Sequence, residues 1–456
     1  MTTLARELNR TLKIAWPLTL GLLGQQFLGL IDSIMVGHHS TVELAAAAFV
    51  NSLCGAPLVI IFGFTTNIGV LVAQAVGRNG GGQAGRILRH GFVLNLTIAL
   101  ILMLALGLLN QHLELFSQPA DVTAHAHSFL HYISMSLLPL ALFNAFRQFS
   151  DGLQITLPPM LITVFGVILN TTINWFLIFG HSGAPEMGLA GAGIATLISR
   201  WVMLIILFIV IVRDERYKKY IGGLWGRTYE MAIFSRNFGI GAPSDFQYLF
   251  ESGAFYAVAI MMGWIGTSTL AANQIVMSLV ALLYMFPLSI SIATSVRVGE
   301  ATGRKDPFAT RVIGFSSLYL SFAVTFICAL ILFFGRLVLP LFFTGDLDVI
   351  HITGDLFVIA GFFQIFDGTQ CVLVGALRGM SDVKVPTAWM FFAYWVVGIS
   401  LAYGCGFTLH YGYLGIWTGL ALSVVISALG LTYRFDRISS RHIHNSKNSP
   451  LAETAP

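Results

Sequence analysis

Twelve stretches of mainly apolar residues, each long enough to cross a bilayer, restrict what this chain can fold into. They cover 14–36, 44–73, 91–110, 128–148, 159–180, 188–212, 238–262, 272–296, 312–334, 352–377, 387–409 and 412–434. A helix needs about 20 such residues to span the hydrocarbon layer. The expected fold class is therefore an all-α membrane protein of twelve transmembrane helices. Composition agrees. Of 456 residues, 56% are hydrophobic and 10% charged, whereas soluble domains run nearer roughly 25% charged. A string of soluble domains is excluded. The net charge of +4 reads as a topology signal, so no nucleic-acid partner is expected. Cys54, Cys328, Cys371 and Cys405 lie in apolar stretches without C-x-x-C spacing, which indicates neither a disulfide framework nor a zinc site.

The basic residues test the helix map. Arg6, Arg10 and Lys13 precede the first run, which is too long for the apolar region of a signal peptide. With the N-terminus inside, every Lys and Arg except Arg200 and Arg336 falls in a cytoplasmic segment. The positive-inside rule then supports twelve crossings with both termini cytoplasmic. The end of the chain, 438–456, is polar and is expected to be a disordered tail.

The two halves repeat each other. At an offset of 226, Pro17 matches Pro243, Leu44-Ala45-Ala46 matches Leu270-Ala271-Ala272, and Gly77-Arg78 matches Gly303-Arg304. Arg147-x-x-Ser150-Asp151 matches Arg378-x-x-Ser381-Asp382 at an offset of 231. Six helices return the chain to its starting side, so the halves are parallel repeats about an axis along the membrane normal. We expect an N-terminal lobe over 1–220 and a C-terminal lobe over 221–437. A cleft between such lobes suits alternating access. A duplicated channel or lipid-handling scaffold has the same repeat.

Three acids sit well inside apolar runs: Asp32 in the first, Glu251 in the seventh and Asp367 in the tenth. A mid-helix carboxylate costs about 2.5–3.5 kcal/mol on insertion scales, so these positions are functional candidates by default. Desolvation favours the protonated carboxyl and a bound cation favours the ionised one, which is the chemistry of ion coupling. The repeat places Val258 opposite Asp32, Gln25 opposite Glu251 and Ser136 opposite Asp367. The acids therefore break a symmetry that the fold keeps. Asp245 and Asp355 lie near helix ends and read as interfacial, and Glu300 reads as an ion pair with Arg297 or Arg304.

Arg200 lies about twelve residues into its run, roughly 18 Å deep at 1.5 Å per residue, and calls for an acid or carbonyl partner. His127 and His131 have the i, i+4 spacing of metal ligands, but no third ligand is placed, so they read as solvated. No metal site or cofactor is expected. There is no G-x-x-x-x-G-K-[ST], H-E-x-x-H or G-x-S-x-G motif, so neither direct ATP use nor an enzyme is indicated. Gly80-Gly81-Gly82 beside Arg78 reads as a flexible loop rather than a phosphate nest.

Several segments together resemble the multidrug and toxic compound extrusion family. They include Trp16-Pro17, Gly29 through Gly37 around Asp32, Glu43-Leu44-Ala45-Ala46, Ala73-Gln74-Ala75-Val76-Gly77, Leu270-Ala271-Ala272-Asn273-Gln274 and Arg297-Val298-Gly299-Glu300-Ala301. Phe363-Gln364-Ile365-Phe366-Asp367-Gly368-Thr369-Gln370, Gly375 to Gly379 and Tyr394-Trp395-Val396-Val397-Gly398 resemble its NorM branch. The resemblance covers nearly the whole chain outside the tail. It implies a monomeric antiporter of a bacterial inner membrane, embedded in lipid, which exports cationic amphipathic drugs and dyes in exchange for Na⁺ or H⁺. It also implies that Asp32, Glu251 and Asp367 are the coupling residues, with Gln25, Phe363 and Arg200 as supporting candidates. Phe363 departs from the branch, which often has Tyr there, and this removes a hydroxyl ligand. The fifth helix offers Asn170 and Asn174 where other subfamilies place acids. The rival reading is a lipid or polymer flippase of the same superfold. It would want a basic cavity, whereas three acids favour cationic cargo.

Overall fold

A computed structural model of the protein describes residues 3–183, 185–224, 226 and 228–447. Twelve of its helices are long and apolar enough to cross a membrane, and no strand occurs among the described residues. Helices close their own backbone hydrogen bonds, which is the reason apolar runs of this length adopt them in lipid. In chain order they are α1 (Thr3–His39), α2 (Thr41–Gly77), α3 (Gly81–Asn110), α4 (Ala120–Gly152), α5 (Leu157–Phe179) and α6 (Gly188–Arg213). A short helix, α7 (Glu215–Ile221), precedes α8 (Met231–Ile265), α9 (Thr267–Gly303), α10 (Pro307–Gly335) and α11 (Leu347–Gly379). The last two are α12 (Lys384–Thr408) and α13 (Gly412–Lys447).

The turns between helices repeat along with the helices. Asn79 and Lys305 have φ of 59° and 58°, Gln154 and Ser381 61° and 62°, Ser182 and His410 59° and 58°. Each is a left-handed residue just beyond a helix end, where the chain must reverse. The duplication read from Pro and Gly-Arg spacing is therefore also present in backbone conformation.

The chain forms two compact units, one of Leu20–Asp245 and one of Met1–Thr19 with Phe246–Pro456. The units are not contiguous halves divided at residue 220. The opening turns of α1 belong with the later helices, and the opening turns of α8 belong with the earlier ones. Both breaks fall just after a helix-interior proline, Pro17 in α1 and Pro243 in α8. Proline removes one helical hydrogen bond and bends the helix there.

Each crossing is held by a corresponding contact. In one unit the Thr19 and Ser289 hydroxyls are 2.6 Å apart. In the other, Asp245 and Gly63 occupy the same two places, and a Cβ on Gly63 would overlap the Asp245 carboxyl. Asp245 is thus buried, contrary to the interfacial reading, because a glycine makes room for it. Asp355 is exposed, as expected, and accepts a hydrogen bond from the Tyr413 hydroxyl at 3.0 Å. Arg304 pairs with Glu300 at 3.1 Å, while Arg297 turns to Glu7 and Thr11 at the start of α1.

Gly81 and Gly82 lie in the first turn of α3 rather than in a flexible loop. A Cβ on Gly81 would lie 3.2 Å from the Lys219 carbonyl oxygen, so the 214–224 segment passes close by. A Cβ on Gly85 would lie 2.6 Å from the Tyr220 carbonyl oxygen. Tyr217 anchors that segment through a 2.5 Å hydrogen bond with Ser150, and burial pushes its phenol up to about 12. At the other end of the chain, α13 continues past Ile438 to Lys447. The expected tail over 438–456 therefore starts as helix, because Arg311 ties its side chain to Asp436, Ser439 and Ser440. Residues 448–456 lie outside the described ones.

Candidate functional site

In the unit Leu20–Asp245, four helices bring polar side chains together around Asp32. Asn174 on α5 donates Nδ2 to Asp32 Oδ1 at 2.5 Å, and the same nitrogen is 3.1 Å from Asn170 Oδ1. Asn170 donates to Thr196 Oγ1 on α6 at 3.4 Å, and Thr196 also hydrogen-bonds Asp32. Asn170 and Asn174 are one turn apart, so both face the same neighbour. One turn beyond Thr196, Arg200 donates from Nη1 to Ser136 Oγ on α4 at 2.6 Å. Arg200 and Asp32 interact electrostatically, yet no nitrogen–oxygen distance within 4.0 Å joins them among the described residues. The expected partner of Arg200 is therefore a hydroxyl in contact and a carboxylate at a distance. Gln25, two turns before Asp32, is half-buried and makes no hydrogen bond among the described residues.

The other unit builds a different site. Glu251 on α8 and Asp367 on α11 interact electrostatically, and Asp367 is only 2% exposed. Glu251, Tyr248, Tyr284, Gln370 and Arg378 line a void of about 10 Å³, close to the volume one water requires. Gln370 donates Nε2 to the Tyr394 hydroxyl at 2.8 Å. Tyr394 lies in a π-helical turn of α12, Phe392–Gly398. Such a turn inserts a residue and re-aims the side chains around it.

Along α11, Gln364 Oε1 and Nε2, Asp367 Oδ1 and Gln370 Oε1 are buried without a hydrogen-bond partner. Buried polar atoms are nearly always satisfied. Three unsatisfied oxygens at three-residue spacing share one broad face of a helix, and oxygen sets of that kind suit a proton or a hard cation. Phe363 does not join this set. It is fully buried, packed edge-on against Phe255 and Trp417 with centroids 5.9 and 6.3 Å away.

A family model described as MatE matches residues 17–176 and 243–404. This chain belongs to the multidrug and toxic compound extrusion (MATE) family. A probable multidrug resistance protein NorM from Xylella fastidiosa (strain Temecula1) is 31% identical, over 95% of this chain and 93% of that protein. A crystal structure of a MATE in the bent conformation superposes with a TM-score of 0.89 at 16% identity, covering 98% of this chain and 100% of that one. The eukaryotic MATE transporter AtDTX14 gives 0.85 at 21% identity, covering 97% and 99%. Each half of this MATE protein carries one of the two matched segments, as the internal repeat requires.

Reading the sequence for charge located Asp32, Glu251, Asp367 and Arg200 but passed over their uncharged neighbours. Gln364, Gln370 and Cys371 stand three or four residues from Asp367, and Gln247 and Tyr248 three or four from Glu251. That spacing places each on the acid's own helix face, so it was a usable signal. Tyr394 stood out only within the stretch that resembles the NorM branch, and its contact with Gln370 was not legible, because the π-helical turn and the packing of α12 bring it there. Of the paired histidines, His127 lies 3.2 Å from Asn110 Oδ1, and His131 packs edge-on against Tyr132.

Proposed function

We propose that this MATE protein is a secondary antiporter of a bacterial inner membrane. It exports cationic amphipathic drugs and dyes in exchange for Na⁺ or H⁺, as a monomer with both termini cytoplasmic. The observation that carries this reading is the partnerless oxygen set of Gln364, Asp367 and Gln370 beside Glu251. In that surrounding a proton or a desolvated cation supplies what the protein itself withholds. Asp32, hydrogen-bonded by Asn174, is the second ionisable centre and takes a proton or a cationic group of the cargo.

The cycle follows from charge balance. Ion uptake at Glu251 and Asp367 favours release of the cationic drug, and ion release on the inner side restores affinity for it. Exchange of one ion for one singly charged drug moves no net charge, so the ion's concentration gradient drives export, about 1.4 kcal/mol for each tenfold difference. No cofactor enters this cycle, and no bond is made or broken.

The test is ethidium export from cells expressing the protein, with Na⁺ and pH gradients imposed separately. Export should track one gradient and thereby name the ion. Gradient-independent retention of dye, with the protein present in the membrane, would move the assignment to a flippase.

A further inference from the structure

The last helix runs on after its apolar stretch ends. From Arg434 to Lys447, α13 extends about 20 Å further at 1.5 Å per residue. One side of that extension is secured by Arg311, which binds Asp436, Ser439 and Ser440. The other side borders a groove. There Arg434, Ile438, Arg441, His442 and Asn445 face the turn at 380–382, across a space of about 410 Å³. Small-molecule sites typically measure about 300–1,000 Å³.

The internal repeat explains why this groove is open. In the unit Leu20–Asp245 the left-handed residue matching Ser381 is Gln154, and the chain after α6 covers that region itself. It leaves the helix line at Asp214, with ψ of 126°, and enters α7. Tyr217 then stacks on Phe149 and hydrogen-bonds Ser150. α13 has no such break, so it passes the Ser381 turn without folding back over it.

The walls are rich in donors. Among the described residues, Asp382 is the only acid lining the groove, and Arg434 binds both of its oxygens, at 2.7 and 2.9 Å. That pair is neutral in sum and leaves the charge of Arg441 over. The Asn445 amide and the His442 ring stand beside it and can donate as well. Asp436, the nearest acid along α13, is bound by Arg311 on the far side. A guanidinium grips phosphate oxygens two-pronged. The apolar run ends at Arg434, so the groove opens at the level of the lipid headgroups. Basic pockets at that level suit anionic headgroups.

We propose that this groove is a binding site for a phosphate ester, with Arg441 as its principal ligand and His442 and Asn445 beside it. Arg434 is a positioning residue, since its pair with Asp382 holds the turn against α13. The phosphodiester of an anionic phospholipid and a soluble phosphate share this chemistry, and the position at the membrane surface favours the lipid. Neither the ion nor the cargo of transport enters this site.

The experiment measures binding to the purified full-length protein in detergent. Native mass spectrometry reads phosphatidylglycerol against phosphatidylcholine, and isothermal titration reads inorganic phosphate. The wild type should prefer phosphatidylglycerol by tenfold or more. Arg441→Gln should remove most of that preference, and Arg441→Lys should reduce it by a few-fold. Arg437→Gln is the charge-matched control, because Arg437 lies over the Tyr433 ring and does not line the groove; it should leave the preference unchanged. Arg441 is exposed, so its replacement leaves the fold intact. Equal losses in Arg441→Gln and Arg437→Gln would reveal attraction to diffuse charge and overturn the site. Inorganic phosphate bound in an Arg441-dependent way, without a lipid preference, would support the site and assign it to a soluble ligand. A wild type that neither prefers phosphatidylglycerol nor binds phosphate overturns the proposal.

Discussion

The two units share helices, turns and crossing points, yet they place charge by different rules. Around Asp32 a carboxylate and a guanidinium are held apart, each with its own hydrogen-bonded support, and the pair is neutral in sum. Around Glu251 and Asp367 two acids lie within electrostatic reach of each other, Arg378 lines the same void as Glu251, and three oxygens are unsatisfied. Both clusters keep buried oxygens without a partner, Asn174 Oδ1 in the first and those of Gln364, Asp367 and Gln370 in the second, but only the second brings two acids together. The backbone scaffold can repeat while the chemistry diverges, because a membrane helix fixes where a side chain points and leaves its charge open. The structure does not keep the Arg-x-x-Ser-Asp match in register: Ser150 and Asp151 lie inside α4, whereas Ser381 and Asp382 lie beyond the end of α11, where the left-handed Ser381 takes the place of Gln154. Asp151 is 3.8 Å from Arg147 on its own helix, whereas Asp382 is bound by Arg434 at 2.7 Å and Arg378 turns to Gln247 and Tyr248.

The largest effect should come from Asp367→Asn. Removing the charge removes the coupled ion and with it the driving force, about 1.4 kcal/mol for each tenfold ion gradient. Ethidium export from energised vesicles should vanish at near-normal protein abundance. Glu251→Gln should do the same, and normal export by both variants would break the contrast between the units. Asn174→Ala comes next, since it takes a hydrogen bond from a carboxylate, worth about 1.5–3 kcal/mol. Export should fall about tenfold, and retention of wild-type rates would mean that Asp32 needs no support.

The crossing contacts allow a finer comparison. Gly63→Ala forces a methyl group against Asp245, and overpacking of this kind costs about 1–3 kcal/mol. The matching change Ser289→Ala only removes a hydroxyl from Thr19, about 0.6 kcal/mol in a membrane protein. Thermal unfolding in detergent should therefore rank Gly63→Ala well below Ser289→Ala, and the reverse order would show that the two crossings are not equivalent. The smallest effect belongs to Glu300→Gln. Its ion pair with Arg304 is partly exposed and worth about 0–1 kcal/mol, so neither melting nor export should change measurably.

The sequence alone determined the twelve helices, their pairing into two repeats and the helix-interior acids Asp32, Glu251 and Asp367. Apolar length and the cost of a charge in lipid are one-dimensional constraints, legible from composition along the chain. Gly63 gave no hint that it faces Asp245, and the end of the chain read as a tail because polarity was visible and the Arg311 contacts were not. Only the tertiary structure decided that α1 and α8 divide after Pro17 and Pro243, that Phe363 packs into the apolar core, and that Tyr394 reaches Gln370. It also decided that Arg200 binds Ser136 and stands clear of Asp32. Those outcomes depend on which faces of separate helices meet, and helix packing in lipid is selected by close fit and by polar contacts between distant residues.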